Sequence, residues 1–125
     1  MGNTNRIEDV PFPENFELEA FFECEPEVLT DQAPWEFNEL TFNAKSDNGT
    51  LNVNMITGSE RVHIKWTQGE NVVCQLDLWG VKDYKVLDKA KYDTLIMSFR
   101  NSEVQDLVIK IRPVISIVWG YNNRY

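Results

Sequence analysis

His63 is the only histidine in the chain, and with Cys24 and Cys74 it makes up the short set of side chains best suited to nucleophilic or metal chemistry. It alternates with Lys65 and Thr67, which places it on the solvated face of a strand. No second histidine and no nearby cysteine gives it the spacing of a metal site. As a general base it needs an oriented partner, and sequence alone supplies none. Neither cysteine sits in a CxxC. Both read as reduced, buried, small core residues rather than as a disulfide. The twenty carboxylates contain many pairs, and glycosidase chemistry needs only two at a defined separation, but nothing marks one pair over another. Gly-rich phosphate loops and nucleophile elbows are absent. The expectation is a non-enzymatic chain with no catalytic residue, no cofactor and no metal.

Charge is the informative feature. Residues 1–39 hold eleven acids and one base, Arg6, whereas residues 40–125 hold nine acids and eleven bases. A nearly neutral β-rich body does not need an acidic third in order to fold. The asymmetry argues for a basic partner and against nucleic acid, whose phosphates it would repel. The blander reading is a solvated face that keeps the fold soluble. On the functional reading the contact set is Glu17, Glu19, Glu23, Glu25, Glu27, Asp31 and Glu36. Phe21, Phe22, Trp35 and Phe37 interleave these acids and serve either as anchors or, for most of them, as core. Trp79, on the strand face opposite Leu78, is the best candidate for an exposed ring. It carries the alternative reading, a carbohydrate- or ligand-binding module.

Length bounds the answer to one domain over residues 1–125, with 1–10 a flexible arm and 11–39 the acidic segment. No apolar run is long enough to cross a membrane as a helix, and the opening residues lack the layout of a secretory signal. A cytoplasmic chain is therefore expected, as monomer or homodimer.

Period-two alternation dominates from about Glu36 onward. Leu51, Val53 and Met55 share one face, as do Val62, Ile64 and Trp66, and again Leu107, Ile109 and Ile111. Three runs look apolar on both faces and predict central strands: Val72 to Trp79, Leu95 to Arg100, and Val114 to Trp119. Val81 and Tyr84 are out of step, which predicts a bulge. Asp47-Asn48-Gly49 reads as a hairpin turn rather than as part of a glycosylation site. Regular turn spacing predicts a mainly β fold, an antiparallel meander forming a sandwich or strongly curved sheet, with at most one short helix near the acidic third. Residues 16–24 are ambiguous: alternation favours a strand, composition favours a helix, and the reading leans to a strand. Strands covered on both faces also leave room for a self-assembling structural subunit.

The last predicted strand, Pro113-Val114-Ile115-Ser116-Ile117-Val118-Trp119-Gly120, follows Lys110-Ile111-Arg112. Upstream lie Ile64-Lys65-Trp66 and Leu76-Asp77-Leu78-Trp79-Gly80-Val81. Over residues 50–120 this resembles the small, acidic, β-rich immunity proteins of bacterial polymorphic and contact-dependent toxin systems. The resemblance implies a cytoplasmic inhibitor without catalytic residues. Its partner would be a toxin domain, in many cases a basic nuclease.

Overall fold

The computed structural model describes residues 12–87 and 91–119. Helix α1 (Asn15–Phe22) leads into β1 (Glu27–Val28), a 3-10 turn (Trp35–Phe37), β2 (Glu39–Ser46) and β3 (Gly49–Ile56). A second 3-10 turn (Thr57–Ser59) precedes β4 (Arg61–Gln68) and β5 (Asn71–Leu78). Strands β6 (Val81–Leu87), β7 (Thr94–Phe99), β8 (Leu107–Lys110) and β9 (Ser116–Trp119) complete the described chain. Every pairing is antiparallel, giving a five-stranded sheet in the order β1-β2-β3-β4-β5 and a four-stranded sheet in the order β6-β7-β8-β9. This is the predicted meander, folded as a sandwich. The proposed arm at residues 1–10 lies outside the described residues.

Alternation sets which residues go inside. Phe42, Val53 and Ile64 of the first sheet meet Leu95, Met97, Leu107 and Ile109 of the second in one shared core. The outer face of the first sheet is polar, with Thr41, Asn54, His63 and Asp77 side by side across four strands. At the β2–β3 hairpin Ser46 pairs with Gly49, so Asp47 and Asn48 form the turn. Gly49 has φ +132°, and a Cβ there would collide with the Thr67 carbonyl, so the position needs glycine. The predicted bulge lies at Val81/Asp83 in β6.

Three expectations need correction. Residues 15–22 form a helix, not a strand. Glu14 and Glu17 make a capping box after Pro13, and Leu18, Phe21 and Phe22 fall at i, i+3 and i+4 and are wholly buried. The alternation of Phe16 with Glu17 was misleading, since Phe16 is exposed. Runs Val72–Leu78 and Val114–Trp119 are edge strands rather than central ones, with Val72, Val73, Val114, Val118 and Trp119 exposed. Both cysteines are free thiols, half-buried instead of buried. Cys24 donates to the Asn43 carbonyl, and burial pushes its thiol pKa up.

Long-range polar bonds fix the layers to each other. Asn48 behaves like a strand residue turned sideways: its Oδ1 accepts from the Ile115 amide at 2.8 Å, and its Nδ2 donates to the Ile115 carbonyl at 3.0 Å. Ser46 Oγ donates to the Ile111 carbonyl at 2.8 Å. At the opposite end the chain passes between sheets through Trp79-Gly80. There the Val81 amide donates to the Glu60 carbonyl and the Arg100 amide to the Gly80 carbonyl. Helix α1 has no base in its last turn. Arg112 supplies one from afar, donating to the carbonyls of Phe21 and Tyr92 at 2.8 Å each and lying 3.5 Å from Glu23. Replacing Asn48 with Ala leaves both polar groups of Ile115 without their partner. It is expected to lower unfolding stability by about 1–3 kcal/mol, read from urea titration. An unchanged midpoint would mean that apolar packing alone holds this end.

Candidate interaction surface

Residues 12–39 contain nine acids and no base. Of these nine, only Glu23 forms a salt bridge among the described residues, with Arg112. Glu17 is engaged within the helix, where its Oε1 accepts from the Glu14 amide at 2.9 Å. Glu19 is half-buried on the same helix. Glu25, Glu27, Asp31 and Glu36 are exposed. The seven acids singled out from sequence therefore divide into a helical group partly committed to holding α1 and an exposed group that follows it.

Glu27 is brought together with Glu39, which was not in that set. Glu27 stands opposite Thr41 in the β1–β2 ladder, two positions along the same face from Glu39. The two acids, with Val28, Leu29 and Thr41, line a shallow groove of about 290 Å³. Leu29 is 73% exposed there. Asn54 Nδ2 donates to Glu39 Oε2 at 3.1 Å and to Thr41 Oγ1 at 2.9 Å, which fixes the groove floor. Glu36 lies on a separate pocket with Phe37, which is 69% exposed. Of the four aromatics singled out from sequence, Phe21 and Phe22 are core and Trp35 is partly so, leaving Phe37 free to act as an anchor, while the exposed Phe16 packs edge-on against Tyr92.

Asn38 shapes the loop that carries these groups. It is the one buried polar residue of the described chain. Its Nδ2 donates to the carbonyls of Thr30 at 2.7 Å and Ala33 at 2.9 Å, while its Oδ1 accepts from the Glu39 amide at 2.8 Å. Thr57 Oγ1 in turn accepts from the Asn38 amide at 2.9 Å and donates to the Asn38 carbonyl at 2.7 Å. A loop without strand pairing is thus tied by these five hydrogen bonds through Asn38. No local pattern in the sequence marks Asn38, whose partners are scattered over residues 30–57. The apolar pair Val28-Leu29 between Glu27 and Asp31 was the signal that could have been read.

The remaining chemistry is sparse. His63 Nδ1 lies 3.1 Å from Asp77 Oδ1, the oriented partner that sequence could not supply. Across the sheet His63 faces Asn54 and Asp77, so its cross-strand neighbours include no serine, threonine or cysteine for it to activate. Among the described residues no group of three or more His, Cys, Asp or Glu side chains converges. Trp79 is 63% exposed, as its strand position predicted. One face of its ring is covered by the Arg61 guanidinium at 4.0 Å, and that face is closed to a stacking sugar.

Comparison with solved structures finds the same fold in "Contact-dependent growth inhibition toxin - immunity protein complex from Klebsiella pneumoniae 342". The matched chain superposes with a TM-score of 0.70 at 21% sequence identity, over 87% of this chain and 94% of the other. The fold resemblance drawn from residues 50–120 therefore extends to most of the chain. No protein-family model and no curated protein matches the sequence.

Two expected outcomes test the surface itself. Asn38→Ala removes the donor to the part-buried carbonyls of Thr30 and Ala33 and should lower stability by about 1–3 kcal/mol. Hydrogen exchange should then rise first at residues 29–38, and a uniform rise across the sheets would contradict the local role. Glu60 is held below its ordinary carboxyl range by hydrogen bonds from Arg100, with partial burial opposing. A depressed folded pKa contributes stability that is present above the unfolded value and lost as pH falls through the folded one. Stability should therefore drop below about pH 4.5, and Glu60→Gln should flatten that acid limb in pH-dependent melting. An unaltered limb would assign it to other carboxylates.

Proposed function

We propose that this chain is an immunity protein, a non-enzymatic inhibitor that acts in the cytoplasm by binding a basic toxin domain and covering its active cleft. The observation that carries the reading is the 12–39 segment: nine acids, no base, and two exposed apolar anchors, Leu29 and Phe37, on a loop fixed by Asn38. Like charges held this close repel one another, and a basic partner relieves that repulsion on binding. Opposite charge speeds encounter and sets register, whereas lifetime comes from desolvated anchors. The fold shared with a chain of a toxin–immunity complex supports the same reading.

The direct test is growth. Co-expression of this chain with the toxin domain encoded beside it should restore growth of the intoxicated cell, and undiminished killing would sink the proposal. Charge reversal locates the surface. Glu25→Lys with Glu27→Lys is the informative pair, because Glu23 is already tied to Arg112. This variant should associate about tenfold more slowly with the toxin at low salt, the difference shrinking at high salt. Equal rates at both salts would move the contact surface elsewhere.

A further inference from the structure

A pocket of about 240 Å³ opens where the Trp35–Phe37 turn, the Thr57–Ser59 turn and β6 converge. Tyr84 lines it and is 4% exposed. The Tyr84 hydroxyl is buried and has no hydrogen-bond partner among the described residues. Buried tyrosine hydroxyls nearly always have one, since leaving the bond unmade costs about 1–3 kcal/mol. Burial, followed by the charge of Glu60, pushes the Tyr84 pKa far up, so the group is a neutral hydroxyl with lone pairs to offer.

The charges around it are unequal. Arg100 Nε donates to both Glu60 oxygens at 2.8 Å, which pairs these two side chains with each other. Glu36 remains at the mouth beside the open face of Phe37, with Lys82 at the rim and Asp83 close enough to act on Arg100. At the pocket itself two acids, Glu36 and Glu60, thus face two bases, Lys82 and Arg100, and the excess negative charge comes from the neighbouring 12–39 segment. The volume falls short of the about 300–1,000 Å³ typical of small-molecule sites and suits one long side chain.

We infer that this pocket receives an arginine side chain of the toxin. Its guanidinium stacks on Phe37, pairs with Glu36 and donates a hydrogen bond to the Tyr84 hydroxyl. A planar, weakly hydrated cation with several fixed donors matches an aromatic face, a carboxylate and a lone acceptor together, where a lysine ammonium matches them one at a time. The inference rests on the immunity reading for the identity of the partner, while the pocket chemistry can be tested without it.

The probe is N-acetyl-arginine amide, titrated into the isotope-labelled full chain and followed by amide NMR shifts. N-acetyl-citrulline amide, alike in shape but uncharged, is the control. Saturable shifts at Phe37, Lys82 and Tyr84 are expected for the arginine probe, about fivefold weaker in Glu36→Gln and in Tyr84→Phe. Tyr84→Phe removes an unpartnered hydroxyl, so it should leave unfolding stability unchanged or higher while it weakens binding, a pattern that a purely structural tyrosine would not give. Absence of saturable shifts at these amides overturns the inference, as does equal binding of the citrulline control. Probe binding that emerges only in Arg6→Ala also overturns it, because the chain's own arginine would then be the occupant. Any of these results leaves growth protection by the wild type untouched. Loss of protection alongside intact probe binding would instead fault the immunity reading.

Discussion

Two sheets that share no strand must be fastened by something other than their ladders, and that constraint organises this molecule. Burial of the common core brings the layers together without fixing their register, because apolar contact is non-directional. Direction comes from polar latches at the two ends. At one, Asn48 gives Ile115 both a donor and an acceptor, as a neighbouring strand would. At the other, the Trp79-Gly80 corner is closed by the Val81 and Arg100 amides and by the Glu60–Arg100 pair. The first latch lies far from the candidate surface. The second forms one wall of the Tyr84 pocket, so the groups that fix the layers also shape that cavity.

The acidic segment poses a separate problem. Nine carboxylates in twenty-eight residues oppose compaction, and almost none of them is neutralised internally. The segment is attached through neutral and backbone groups. Leu18, Phe21 and Phe22 insert under the sheets, with Phe22 stacked on Phe42 at 4.1 Å. Asn38 satisfies the loop carbonyls, and Arg112 reaches the end of α1. Anchoring by apolar and amide contacts leaves most of the carboxylates outward and unspent. A segment docked through salt bridges would hold its shape equally well and present far less charge.

The strands were legible because a half-buried strand writes its burial directly into alternation. Val53, Ile64 and Ile109 went inside where their period placed them. Edge and centre were not legible, since a run such as Val114–Trp119 has the same composition whether or not another strand pairs beside it. Helix α1 was misread because five alternating residues outweighed one Glu14–Glu17 capping box, and the true face of Leu18, Phe21 and Phe22 was overlooked. The bonding roles of Asn38, Asn48 and Arg112 were invisible for a common reason. Their roles are defined by partners up to ninety-one positions away, as with Arg112 and Phe21, and no local pattern encodes such a bond.

Charge and anchoring serve different stages of an encounter, and this chain separates them in space. The Glu25–Asp31 stretch and the Glu27–Glu39 groove lie along the β1 edge, where their field reaches outward. Glu36, Phe37 and the Tyr84 hydroxyl lie at the sandwich end, where a side chain can be enclosed and desolvated. Long-range attraction needs only many exposed carboxylates and tolerates the loss of any one. A buried acceptor acts only within hydrogen-bond reach and discriminates one side chain from another. On the proposed reading, discrimination between partners would rest on Glu36, Phe37 and Tyr84 rather than on the number of exposed carboxylates.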